Sequence, residues 1–267
     1  MSQCPIIVLD ANDLQRQVRA TYERVAQAPA SGFHFHTGAD YAAQRLGYDA
    51  AELATLPAVC TERFAGVGNP LRIGALRPGA VVLDHACGAG MDLLLAARAV
   101  GPEGRAIGVD LTPAMRSCAM RATPEAGLLG QVVLHEGTFE ELPVTDGSVD
   151  YVISNGVLNL APDKPRALRE VERVLRPGGA MYLADVVLDR ALDPRVRGDA
   201  GLWAACIGGA LIEAQLLRLI EASGLQGARI TERFECFVGT SLDRKFHNRL
   251  HAYGVNVCAV KAGNLPE

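Results

Sequence analysis

Along the middle of this chain, short apolar runs alternate with apolar residues at helical spacing. The runs Val81–Leu83, Ala106–Val109, Val132–His135, Val149–Ser154 and Met181–Leu188 are each bounded by polar or turn residues, and so predict buried strands. Between them lie helical patterns. Leu93–Ala97 is one, and Thr112-Pro113 supplies an N-cap and a first helical position for the next. From Asp163 to Leu175, the residues Ala167, Leu168, Val171, Val174 and Leu175 share one helix face, and Arg176-Pro177-Gly178-Gly179 reads as a helix stop and sharp turn. Alternating strands and helices predict a parallel α/β sheet. A further helix is predicted over Glu213–Ser223, and two final apolar runs over Ala228–Phe237 and Val255–Val260. The polar segment between those runs, Gly239–His251, reads as a solvated loop.

The first 70 residues follow a different pattern. Leu14–Ala26 predicts a short helix and Tyr41–Leu56 one or two more, and Gly66, Gly68 and Asn69-Pro70 mark a tight turn into the sheet. Three regions result: an N-terminal helical arm or lid over 1–68, a nucleotide-binding core over 69–190, and a substrate-covering insertion with C-terminal strands over 191–267.

The stretch from Val81 to Asp110 runs strand, glycine turn, helix, strand, acid, the order of a nucleotide-binding βαβ unit. A dinucleotide fingerprint needs a third glycine, and Leu93 stands there instead. Asp84 on the entry side of the turn repels a phosphate and suits a cation. Asp110, closing the second strand, can accept both ribose hydroxyls. S-adenosylmethionine meets these terms: it has a ribose, an adenine, an ammonium and a sulfonium, and no phosphate. A glycine turn alone would fit an ordinary crossover without a ligand; the two strand-end acids favour the donor.

Composition narrows the classes. Hydrophobic residues make up 49% of the 267, enough for a sizeable core, and the net charge of −4 gives no bulk attraction to nucleic acid or anionic membrane. No apolar run approaches the ~20 residues of a membrane span, and the first residues do not read as a secretory signal. Seven scattered cysteines without a C-x-x-C pair suggest reduced thiols in the cytoplasm, with no disulfide framework and no metal site. A monomer or homodimer acting on a small molecule is expected.

The series LDHACGAGMD, IGVDLTPAM, EGTFEELP, DGSVDYVISNGVLNL and REVERVLRPGG resembles the successive motifs of class I S-adenosylmethionine-dependent methyltransferases. The resemblance implies a Rossmann-like, seven-stranded, mostly parallel sheet with helices on both faces and one antiparallel strand near the C-terminus. It implies that Asp84, Gly88 and Gly90 cradle the methionine part of the donor and that Asp110 holds the ribose. It puts Leu111, Thr138, Phe139 and Glu140 around the adenine, and has Asn155 and Val157 line the methyl-donor pocket.

A narrower likeness joins GVGNP, VGPEGRAIGVDLTPAM, SNGVLNLAPDKP and LWAACIGGAL to arsenite methyltransferases. Those enzymes bind trivalent arsenic through three cysteines, and here only Cys206 matches. Val67 and Gly156 occupy the other two positions, so a three-sulfur cage is not expected; Cys60 and Cys87 lie nearby as substitutes. Cys206, Trp203 and Asn155 are the acceptor-facing candidates. His34, His36 and His85 are better read as locally satisfied than as bases. The expected activity is methyl transfer to a soft nucleophile: a thiol, or an arsenic or selenium species. The alternatives are O- or C-methylation of a quinone or natural product, or donor binding without catalysis.

Overall fold

The computed structural model describes residues 11–192, 203, 207–246 and 249–263. Its centre is one sheet of eight strands. β1 (Val81–Asp84), β2 (Arg105–Asp110), β3 (Val132–Glu136), β4 (Val149–Asn155) and β5 (Leu175–Leu188) run parallel. The two-residue β6 (Leu211–Ile212) pairs β5, and β7 (Leu225–Phe234) and β8 (Ala252–Lys261) complete the order β3-β2-β1-β4-β5-β8-β7. β8 lies antiparallel between β5 and β7. This is the Rossmann-like sheet that the motif series implied.

Strand order reverses at β1, because the chain builds outward to β3 and then returns to place β4 on the other side of β1. A crevice therefore opens above the C-terminal ends of β1 and β4, where open α/β sheets place ligands. The register puts Asp84 beside Gly108 and Ile153, and Asp110 beside Glu136, so both strand-end acids sit on that rim.

α5 (Met91–Val100) and α6 (Pro113–Glu125) cover one face of the sheet; α7 (Lys164–Val174) and α8 (Glu213–Ala222) cover the other. Buried Leu94, Leu95 and Met115 pack on the first side, and Leu168, Val171, Leu216 and Ile220 on the second. Asp163 caps α7 by accepting from the Arg166 amide at 2.9 Å. Thr112 stands at the N-cap of α6 as expected, but its side chain makes no cap bond; its amide donates to Asp110 Oδ1 at 2.7 Å.

The arm is helical. α1 (Ala11–Gln27) packs against α6, and α2 (Ala39–Leu46), α3 (Ala50–Leu53) and α4 (Ala58–Thr61) follow. Gly47, at φ +69°, ends α2, and Asp49 caps α3, so Tyr41–Leu56 is two helices. The turn into the sheet is pinned by the fully buried Asn256 of β8. Its amide donates to Asn69 O at 2.8 Å, and its Oδ1 accepts from Asn69 N at 3.2 Å.

Two sequence expectations change. Arg176-Pro177-Gly178-Gly179 does not separate helix from strand. β5 begins at Leu175, and the four residues form a bulge across which the pairing with β4 shifts, with Gly178 at φ +79°. The polar segment after β7 is not all loop: α9 (Ser241–Phe246) buries Leu242 there. Most of Asp193–Ala210 lies outside the described residues. Among the described residues, no helix is long and apolar enough to cross a membrane.

Leu93, which took the third glycine's place, is fully buried. The room for it comes from β2, since a Cβ on Gly108 would stand 2.6 Å from Leu93 Cδ2 and 2.8 Å from Cys87 Sγ. Close helix–strand contact is thus made by a leucine entering a glycine gap in the neighbouring strand. Gly108→Ala forces these atoms apart and is expected to destabilise the fold by about 1–3 kcal/mol, read by denaturant unfolding without ligand.

Candidate active site

The residues at the rim gather around one pocket. Its floor is the turn after β1, its sides are the ends of β2 and β4, and α1 with the 60–66 segment of the arm covers it. The turn is held by its own backbone. Gly88, at φ +52°, donates its amide to Asp110 Oδ2 at 2.9 Å, and nothing lies within 4 Å of where its Cβ would be. That open side faces the pocket, so backbone can approach a ligand there. Gly90, at φ +96°, does a different job: a Cβ on it would lie 3.2 Å from Ala119 Cβ, so its absence lets α5 and α6 close on each other.

Three carboxylates, Asp84, Asp92 and Asp110, line this pocket while only 4%, 7% and 9% exposed. Burial raises the pKa of Asp84 well above the carboxylate range, and the charges of Asp92 and Asp110 raise it further; the Ala86 amide opposes this. Burial pushes Asp92 up to about 6, against hydrogen bonds from Tyr48 and Asn155. Asp110 is also raised by burial, with the Thr112 and Gly88 amides opposing. Among the described residues, no lysine or arginine pairs with Asp84 or Asp92. Arg116 donates to Asp110 O at 2.8 Å and to Glu136 Oε2 at 2.5 Å. Arg19 and Arg63 lie on the arm's side, where Arg19 bonds Glu23, and Arg63 bonds Ala26 O and Val59 O. A buried acidic pocket of this kind favours a bound cation.

Asp84, Gly88, Gly90, Asp110, Leu111, Thr138, Phe139, Asn155 and Val157 all line it. Glu140 does not. Its carboxylate accepts from the Asp163 amide at the head of α7 at 2.9 Å and from Gln15 Nε2 of α1 at 3.3 Å. A helix N-terminus attracts a carboxylate, so Glu140 ties the arm to α7 and stands off the pocket lining. Asn155 is spent on structure: its Oδ1 accepts from Val67 N at 2.8 Å, and its Nδ2 donates to Asp92 Oδ2 at 2.9 Å and Gly68 O at 3.0 Å. Trp203 is not on the pocket wall. Its ring lies 4.2 Å from Lys164 Nζ and packs where Gly208 and Gly209 leave room. Cys206 lies outside the described residues.

His85 is buried on the pocket wall and has both nitrogens engaged, Nε2 with Phe139 O at 3.1 Å and Nδ1 with Ser154 Oγ at 3.4 Å. Burial lowers its pKa to about 4, so it is neutral, and the carbonyl fixes the proton on Nε2. His36 and His34 fasten the arm to the segment after β7, through Val238 O at 3.0 Å and Ser241 Oγ at 3.4 Å. No group of three metal-ligating side chains occurs among the described residues.

Val67 and the site of a side chain on Gly156 are neighbours: a Cβ there would stand 3.6 Å from both Val67 methyls. At the two positions where the resemblance to arsenite methyltransferases implies cysteines, this chain therefore has an apolar contact. Cys60 and Cys87 line the pocket, but burial pushes Cys60 up to about 12 and Cys87 well above the usual thiol range, so both stay protonated.

Asp92 and Tyr48 were not singled out from the sequence. Asp92 had one signal, as the lone acid in the otherwise apolar start of α5. Tyr48 had none; only the fold brings its hydroxyl 2.7 Å from Asp92 Oδ1.

S-adenosylmethionine fits this set. Asp110 would take the ribose hydroxyls, Asp84 and Asp92 would face the positive groups, and Phe139, Leu111 and Met115 offer apolar contact for an adenine.

Comparison with known proteins agrees with that fit. A methyltransferase domain model matches residues 76–224. Arsenite methyltransferase from Halobacterium salinarum is 40% identical over 192 residues, 72% of this chain and 49% of that protein. Demethylmenaquinone methyltransferase from Listeria welshimeri is 35% identical over 115 residues, 43% of this chain and 48% of that protein. The chain thus spans about half the length of the curated relatives it matches. The crystal structure of an arsenic(III) S-adenosylmethionine methyltransferase from Chlamydomonas reinhardtii superposes with a TM-score of 0.71 at 36% identity, covering 81% of this chain and 74% of that one.

The acid pocket costs stability when nothing cationic is bound. An unfolded aspartate releases its proton near pH 3.9, whereas buried Asp92 holds it to about 6. Between those values the native state binds more protons, so its stability falls as pH rises through the window and levels off above it. Asp84→Asn removes one such carboxyl. It is expected to raise the melting temperature of the ligand-free protein at pH 7.5, with the gain shrinking toward pH 4. It should also weaken calorimetric affinity for S-adenosylmethionine by about 10-fold or more.

Proposed function

The chain belongs to the class I S-adenosylmethionine-dependent methyltransferases, and on that basis we propose that it methylates a small acceptor through a soft nucleophilic atom. The observation that carries this reading is the pocket of three buried carboxylates, of which Asp84 and Asp92 have no lysine or arginine partner among the described residues. Bound S-adenosylmethionine supplies a methyl group already activated on a sulfonium for in-line displacement. What remains for the protein is to hold donor and acceptor in line and to keep water out.

The residues do this in two halves. Asp84, Asp92 and the Gly88 backbone fix the positive end of the donor, while Asp110 and the Phe139 side fix the adenosine. Phe64, Val157 and Leu160 of the same pocket give apolar surface for the acceptor. Among the described residues, no imidazole lining the pocket is free to take a proton, since His85 is neutral with both nitrogens engaged. A carboxylate is the strongest base at hand. It is well matched to a thiol near pKa ~8.5 and poorly matched to an aliphatic alcohol.

Arsenite enters as an acceptor through the relatives. With Val67 and Gly156 in place of two cysteines, an arsenical would arrive with sulfur ligands of its own, not a protein cage. Cys60, Cys87, Cys118 and Cys258 are free thiols, consistent with a reducing, cytoplasmic setting.

Purified protein with methyl-labelled donor, offered alkyl and aryl thiols, arsenite with excess thiol, phenols and a demethylated quinol, tests the proposal. Label is expected in the thiol or arsenic products. Label in the phenol or quinol with none in any thiol overturns it in favour of O- or C-methylation, and donor binding without label in any acceptor points to a non-catalytic binder.

A further inference from the structure

Among the described residues, Asp92 is the pocket carboxylate whose hydrogen bonds reach both β4 and the arm. Its Oδ2 accepts from Asn155, which also holds the Val67 and Gly68 amides and stands next to Gly156 and Val157. Its Oδ1 accepts from Tyr48, which with Phe64 belongs to the arm. Two neutral donors hold the carboxylate in place, and among the described residues no cation pairs with it. The groups facing it are Tyr48 from the segment between α2 and α3, Asn155 from β4 and Asp84 from β1. Asp110 on β2, the protonated Cys60 and Cys87, and Arg19 and Arg63 on the arm lie around the same pocket.

Methylating a neutral thiol leaves a proton to be placed. We propose that Asp92 is the catalytic proton acceptor, taking the S–H proton of a thiol acceptor as its sulfur is methylated; the assignment rests on the methyl-transfer reading above. The acceptor sulfur forms the new S–C bond, the donor's S–C bond breaks with its electron pair left on the donor sulfur, and the proton passes to Asp92. The charge balance favours that passage. Transfer removes a positive charge from among three buried carboxylates, and a carboxylate that has lost a cationic neighbour binds a proton more tightly.

Two acceptors separate this role from a structural one: benzyl mercaptan, protonated at neutral pH, and 4-nitrothiophenol, already ionised there. With Asp92→Asn at saturating donor, kcat for benzyl mercaptan is expected to fall about 20-fold or more further than kcat for 4-nitrothiophenol, so that the loss shared by both reports donor positioning and the excess reports proton transfer. Tyr48→Phe keeps the carboxylate but removes a hydrogen bond to its ionised form. The acid limb of kcat/KM for benzyl mercaptan should then move to higher pH, and this arm stands if Asp92→Asn does not fold. Calorimetry of donor binding near pH 6, in buffers of different ionisation enthalpy, gives a readout without turnover. The wild-type protein should release protons on binding the cation, and the Asp92→Asn protein fewer. Equal losses with both thiols, or proton release unchanged in Asp92→Asn, overturn the role of Asp92 and leave methyl transfer standing. Donor binding by the wild-type protein with no turnover of either thiol overturns the acceptor assignment itself.

Discussion

Three carboxylates share one buried pocket, two of them, Asp84 and Asp92, with no paired cation among the described residues, and most of the structure around the site follows from that constraint. Ionised together in the absence of a cation, they would repel one another in a medium that screens poorly. The fold reduces the cost with neutral donors. The Gly88 and Thr112 amides serve Asp110, the Ala86 amide serves Asp84, and Tyr48 and Asn155 serve Asp92. What these bonds leave uncompensated is available to a positively charged ligand. Stability of the empty protein and affinity for a cationic donor are thus opposed at the same atoms, a familiar condition of functional sites.

The same donors bind the arm to the sheet. Asn155 at the end of β4 reaches the Val67 and Gly68 amides, the Gly68 carbonyl and the Tyr48 hydroxyl, while Asn256 of β8 clasps Asn69 on both sides. Glu140 extends the attachment to α1 through Gln15. The arm is therefore part of the pocket, supplying Phe64, Gly66 and the α1 side chains to its wall. A nucleotide-binding sheet alone would leave the acceptor half open to water.

Small residues decide how closely the elements approach. Gly108 admits Leu93, and Gly90 admits Ala119. Gly156, at φ +74°, faces Val67. A cysteine there would carry the strain of a left-handed conformation. Glycine relieves that strain and removes a possible thiol, so the contact with Val67 is apolar.

The sequence by itself determined the sheet and the rim. The apolar runs stopping at Asp84 and Asp110, the glycines between them and the helical spacing of Asp163–Leu175 are local patterns, and hydrogen bonding converts such patterns directly into strands, a turn and helices. Only the tertiary structure decided what each rim residue does. Glu140 turned to a helix N-terminus, Asn155 became a tie, and Trp203 went to Lys164. Asp92 gained its place from Tyr48, 44 positions away along the chain. The physical reason is range. Periodicity reports which face of an element is buried, while a side chain's partners and its charge in a dry pocket depend on elements that meet only when the sheet is complete.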